Sequence, residues 1–170
     1  QNLNLTSYNA SILTGDKELS DYFEEGLKTT KNARNLCNWI TIEFAGRIKD
    51  SGKSLKDLKM PVEHIAILVN LIDANKISGK IAKKVADDML KEIGKSPEKI
   101  VSENPDYQPL DNTEEIEAFV NTVIQKESQS VVDYKAGKSK AFGYLVGQVM
   151  KLSKGKAPPE LVNQLLKEKL

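Results

Sequence analysis

Lys135, Lys138, Lys140, Lys151, Lys154 and Lys156 occupy a stretch, residues 135–156, that contains no acidic residue. The segment before it has the opposite character, because Glu98, Glu103, Asp106, Asp111, Glu114, Glu115 and Glu117 are offset there only by Lys99. A lysine window of this kind can neutralise several phosphates and give salt-dependent, sequence-independent affinity for RNA. The same lysines equally suit a solvated helix face that keeps the chain soluble. Gly155, between Lys154 and Lys156, either presents its backbone amide to a phosphate or simply makes a turn. Gly143 and Gly147 lie within an apolar run, where each costs about 1 kcal/mol relative to alanine if the run is helical. Close packing of a neighbouring helix is the favoured reason for them, and close approach of an RNA backbone is the other.

A second basic cluster, Lys76, Lys80 and Lys83, surrounds Ile77-Ser78-Gly79-Lys80-Ile81. Its Gly-Lys pair superficially resembles a phosphate loop, but the upstream glycine, the following Ser or Thr and a preceding strand are missing. These lysines are secondary RNA-contact candidates near a positive helix end. Catalytic chemistry has little to work with. His64 and Cys37 are the only residues of their types, which excludes an intrachain disulfide and most zinc sites. No nucleophile-elbow motif accompanies them, so no catalytic residue and no metal ligand is assigned. His64 reads as a surface or half-buried polar group and Cys37 as small core filler. Adjacent acids such as Glu24-Glu25 and Asp87-Asp88 point to different sides of a helix and read as solvated surface.

The elements that carry these groups read as helices throughout. Hydrophobic residues make up 39% of the 170-residue chain and charged residues 29%, a globular balance, and the net charge of +1 means that any electrostatic signal is local. Residues 1–13 show no period and read as an arm. A helix start at Thr14-Gly15-Asp16 runs to about Leu27. Leu36, Trp39, Ile40, Phe44 and Ile48 share one face of a helix that stops near Gly52. Pro61 opens a helix with Ile65, Leu68, Val69 and Ile72; Ser78 caps another with Ile81, Val85, Met89 and Ile93; and Ser96-Pro97-Glu98 restarts briefly. Pro105 and Pro109 mark a linker, so the expected domains are 1–110, helical with an N-terminal arm, and 111–170, a three-helix tail. In the tail, Asp111 and Glu114 have capping-box spacing, a turn or short helix spans 130–137, and apolar stripes follow on 139–152 and around Leu161, Val162, Leu165 and Leu166. No period-two alternation is sustained, so the class is all-α. No apolar run reaches membrane-spanning length, and no secretory signal is visible. The absence of an initiator methionine is expected of a fragment of a longer chain.

Tyr8-Asn9-Ala10 with Leu13-Thr14, Asp21-Tyr22-Phe23-Glu24, Asn38-Trp39, Ile77 to Lys83, Val132 to Lys138, Leu145 to Lys151 and Lys154-Gly155-Lys156-Ala157 follow one another in a familiar order, closed by Leu165 to Leu170. In that order the chain resembles the GatB/YqeY family, namely the C-terminal helical and tail domains found in the B subunit of aspartyl/glutamyl-tRNA(Asn/Gln) amidotransferases. The Tyr8 to Thr14 segment favours GatB over a stand-alone YqeY-like protein. Pro158-Pro159 stand where Asn-Pro is more usual, and Cys37 where alanine is expected. The resemblance implies a cytoplasmic, tRNA-binding region that is non-catalytic alone, with the glutaminase (A) and small (C) subunits of the amidotransferase as partners. ATP and Mg are implied only for a catalytic cradle absent here, so no cofactor falls on this chain. It further implies that the tail lysines and Gly155 meet the tRNA body, with a flexible junction at 103–111; docking of other proteins is the alternative.

Overall fold

The computed structural model describes residue 3, residues 5–110 and residues 112–170. These residues are helical with no strand among them, so the expected all-α class is correct. Two compact units form, one of Gln1–Ala74 with Ala82–Pro105, the other of Asn75–Ile81 with Asp106–Leu170.

In the first unit the expected arm contains a helix, α1 (Ser7–Gly15). The Thr6 hydroxyl accepts from the Asn9 amide at 3.1 Å, and the Asn9 side chain donates to Asn38 Oδ1 at 2.9 Å. Only Asn9 and Leu13 are buried on α1, too few apolar contacts to leave a period in the sequence. Asp16 caps α2 (Lys17–Gly26) by accepting from the Leu19 amide. The helix expected through Leu36 to Ile48 is composite: α3 (Ala33–Asn38) widens into a π-helical stretch, Trp39–Phe44, before α4 (Ala45–Ile48) and a 3-10 turn. α5 (Val62–Asp73) is the centre of this unit. It buries Val62, Ile65, Ala66, Leu68, Val69 and Leu71, apolar almost all round as a helix enclosed by others must be, and it packs on α2, α3 and α7 (Pro97–Glu103). Where α2 ends, a Cβ on Gly26 would lie 2.8 Å from Val62 and 2.9 Å from Leu36, so the absence of a side chain permits the contact. The Tyr22 hydroxyl donates to the Met60 carbonyl at 2.8 Å. Ile81, Val85 and Met89 of α6 (Gly79–Lys91) are buried as their spacing predicts, whereas Ile93 lies beyond the helix and is exposed.

The second unit holds α8 (Thr113–Lys126), α9 (Ser128–Lys135), α10 (Ser139–Leu152) and α11 (Pro159–Lys169). Among the described residues these are four helices, the turn or short helix expected at 130–137 being α9, which buries none of its residues and so shows no apolar stripe. Asp111, expected in a capping box, lies outside the described residues; Asn112 is the cap seen, accepting from the amides of Glu114 and Glu115. Ile116, Val120 and Val123 of α8, Leu145 and Val149 of α10, Ala157, and Val162, Leu165 and Leu166 of α11 form one core.

Candidate nucleic-acid interface

α10 turns Leu145 and Val149 into the core, which leaves Lys140, Gly143, Tyr144, Gly147 and Lys151 exposed on its opposite side. The structure corrects the favoured account of the glycines: a Cβ on Gly143 or Gly147 would meet nothing within 4 Å, so no helix packs on them. Lys135 and Lys138 stand at the end of α9 and in the turn that follows, with Lys138 paired to Asp133 at 3.0 Å and holding that carboxyl below its usual range. The acid-free window in sequence is therefore partly neutralised by a residue just outside it. Lys156, half-buried, pairs with Asp106 at 3.4 Å.

Lys154 is exposed in a left-handed conformation, φ 55°, and Gly155 follows at φ 82°. Gly155 is buried, with its amide donating to the Met150 carbonyl at 2.8 Å and its carbonyl accepting from the Ser78 hydroxyl. Both of its backbone groups are thus hydrogen-bonded within the unit, in a turn. The residue beside it is Lys80: a Cβ on Gly155 would lie 3.0 Å from Lys80 Cδ. The structure thus brings the secondary candidate Lys80 to the tail's lysine turn, and Lys76 belongs to the same unit. Lys83 belongs to the first unit instead and pairs with Glu43 at 3.0 Å. Tyr144 and Ser78 stand beside these candidates and are missed by reading lysines alone. Helical phase from Lys140 and Gly147 points to Tyr144, while nothing in the sequence signals the Ser78–Gly155 contact.

Cys37 and His64 lie outside the main cleft of the first unit. Cys37 is buried, and burial pushes its thiol above its usual value although a hydrogen bond with Thr41 opposes this, the reverse of an activated thiolate. His64 is half-buried with Nδ1 unpartnered. A cleft of about 340 Å³ in the first unit is lined by Ile12, Leu19, Ile40, Ile48 and Leu55 among others, and neither His64 nor Cys37 reaches it. Among the described residues no group of three His, Cys, Asp or Glu side chains is placed to hold a metal ion, and no helix is long and apolar enough to cross a membrane.

Comparison with known proteins matches residues 21–170 to the GatB domain. Over 168 residues, 99% of this chain, it is 55% identical to the aspartyl/glutamyl-tRNA(Asn/Gln) amidotransferase B subunit of Protochlamydia amoebophila, covering 34% of that protein. The proteins of the same name from Chlamydia pneumoniae and Chlamydia trachomatis serovar L2 are 47% and 48% identical over 92% of this chain and 32% of their own lengths. The chain spans about one third of the length of these relatives. With a match across most of its residues and identities of this size, the chain belongs to the GatB domain family.

Proposed function

We propose that this chain is the part of an amidotransferase B subunit that holds tRNA, with the exposed side of α10 and the Lys154 turn facing the RNA. The observation that carries the reading is the pair Gly143 and Gly147, bare, mid-helical and flanked by Lys140 and Lys151 on the same side. Two glycines that cost about 1 kcal/mol each and pack against nothing in their own unit are accounted for by an outside backbone that comes close. Lysines at both ends make a sugar-phosphate backbone the fitting one. Recognition of this kind reads the charge and shape of the RNA body with little contact to base edges.

Under this proposal the chain positions a mischarged Glu-tRNA(Gln) or Asp-tRNA(Asn) in the cytoplasm. The ATP- and Mg-dependent amidation belongs to the two thirds of the GatB protein outside this chain, in company with the glutaminase (A) and small (C) subunits. Docking of another protein is the second reading, favoured by Val132 and Leu152, which are 59% and 41% exposed. Gly143→Leu and Gly147→Leu decide between them, since leucine is a good helix former and each site is open. Loss of most tRNA affinity with helicity intact is the expected result. Unchanged tRNA affinity together with failed assembly of the amidotransferase selects the docking reading.

A further inference from the structure

Ser78 joins two segments that the sequence keeps far apart. Its hydroxyl donates to the Gly155 carbonyl and accepts from the Ile81 amide at 3.3 Å, so one oxygen serves both the first turn of α6 and the lysine turn after α10. That turn needs support. Lys154 and Gly155 are both left-handed, a conformation that lysine with its Cβ disfavours. The Lys156 amide donates to the Ser153 carbonyl at 3.0 Å and the Leu110 amide to the Lys156 carbonyl at 3.1 Å, which fixes the far side of the turn. On the near side stand the Ser78 hydroxyl and the stem of Lys80, which fills the space a side chain at 155 would need. Asn75 Nδ2, donating to Glu160 Oε2 at 3.3 Å, ties down the start of the segment 75–81 that carries Ser78 and Lys80, and Ile77 is buried within it.

We propose that Ser78 is a positioning residue for RNA binding: by holding the Gly155 carbonyl it keeps the turn left-handed, so that Lys154 is presented beside Lys80 to one stretch of sugar-phosphate backbone. Ser78 itself touches no RNA and acts through Lys154. This role rests on the tRNA reading above. By this role Ser78 joins two lysines that lie 74 positions apart, Lys80 and Lys154, into one site.

The test is a double-mutant cycle in the 170-residue chain, with Ser78→Ala, Ser78→Thr, Lys154→Gln and the Ser78→Ala/Lys154→Gln pair, read by tRNA binding at fixed ionic strength. Ser78→Ala is expected to weaken binding roughly fivefold, the equivalent of one hydrogen bond. Ser78→Thr restores it, and Ser78→Ala adds little once Lys154 is gone. A parent that binds while Ser78→Ala binds equally well, or effects of the two changes that multiply in full, overturns the role of Ser78 alone. A parent that fails to bind tRNA overturns the tRNA reading and this role with it. If Ser78→Ala does not fold, Ser78→Cys, similar in size and a weaker donor, carries the same cycle.

Discussion

Gly26 and the Gly143/Gly147 pair are the same residue type in opposite surroundings. A Cβ at 26 would press on Val62 and Leu36, so Gly26→Ala is expected to destabilise the chain by about 1–3 kcal/mol in urea unfolding. Gly143→Ala and Gly147→Ala meet open space and are expected to stabilise it, each by up to about 1 kcal/mol. Equal effects at all three positions would contradict the packing described. Tyr22→Phe removes the donor to the buried Met60 carbonyl and is expected to cost about 1–3 kcal/mol. The glycines show where residue-level reading stops. Gly143 and Gly147 are each two positions from Leu145, about 200° away on a helix, so their phase places them outside the core even though they lie in an apolar run. Gly26 gives no such signal, because its contacts come from helices that follow it in the chain.

The stretch from Trp39 to Ile48 is tied to α6 by Arg47. Its guanidinium donates to Glu43 Oε2 at 2.9 Å, to Asp87 Oδ1 at 2.6 Å and to the Lys83 carbonyl at 3.1 Å, and Lys83 pairs with the other Glu43 oxygen. Burial alone would raise the Glu43 carboxyl, but hydrogen bonds from Lys83 and Arg47 hold it below its ordinary value of 4.5. A carboxylate depressed in the folded state adds stability that is present above 4.5 and is lost as pH falls through the folded value. The stability gap between the parent and Glu43→Gln is therefore expected to be widest near neutrality and to close below that point; a gap independent of pH would contradict the network. Such cross-element ties are invisible in sequence, where Asp87 reads as solvated surface and Lys83 as a secondary RNA-contact candidate. Helices with broad apolar stripes, α5 and α10, were legible. α1 was not, because it buries only two residues, and α9 was legible only as a turn or short helix over 130–137, because it buries none. The π-helical widening at Trp39–Phe44 was hidden too, since a local change of pitch barely disturbs a stripe of five large residues.

At the scale of the whole chain, a net charge of +1 conceals a polar division of labour. The lysine window was legible because it lacks acids; in the structure Lys138 and Lys156 are engaged by Asp133 and Asp106, the Gly155 carbonyl accepts from Ser78, and Lys80 from a distant segment lies beside Gly155. What remains on the exposed side of α10 and at its following turn is Lys140, Lys151 and Lys154. Family membership concerns the third of the GatB protein represented here, so the tRNA-holding role is the central claim to test. The direct measurement is tRNA affinity across a salt series for the parent chain and for a variant with Lys140→Gln, Lys151→Gln and Lys154→Gln. Each phosphate contact removed makes the slope of log affinity against log salt shallower by about 0.9. The account predicts a variant that binds more weakly with a slope shallower by about two to three units. Equal affinity and slope in the two proteins, or no binding by the parent, would contradict it.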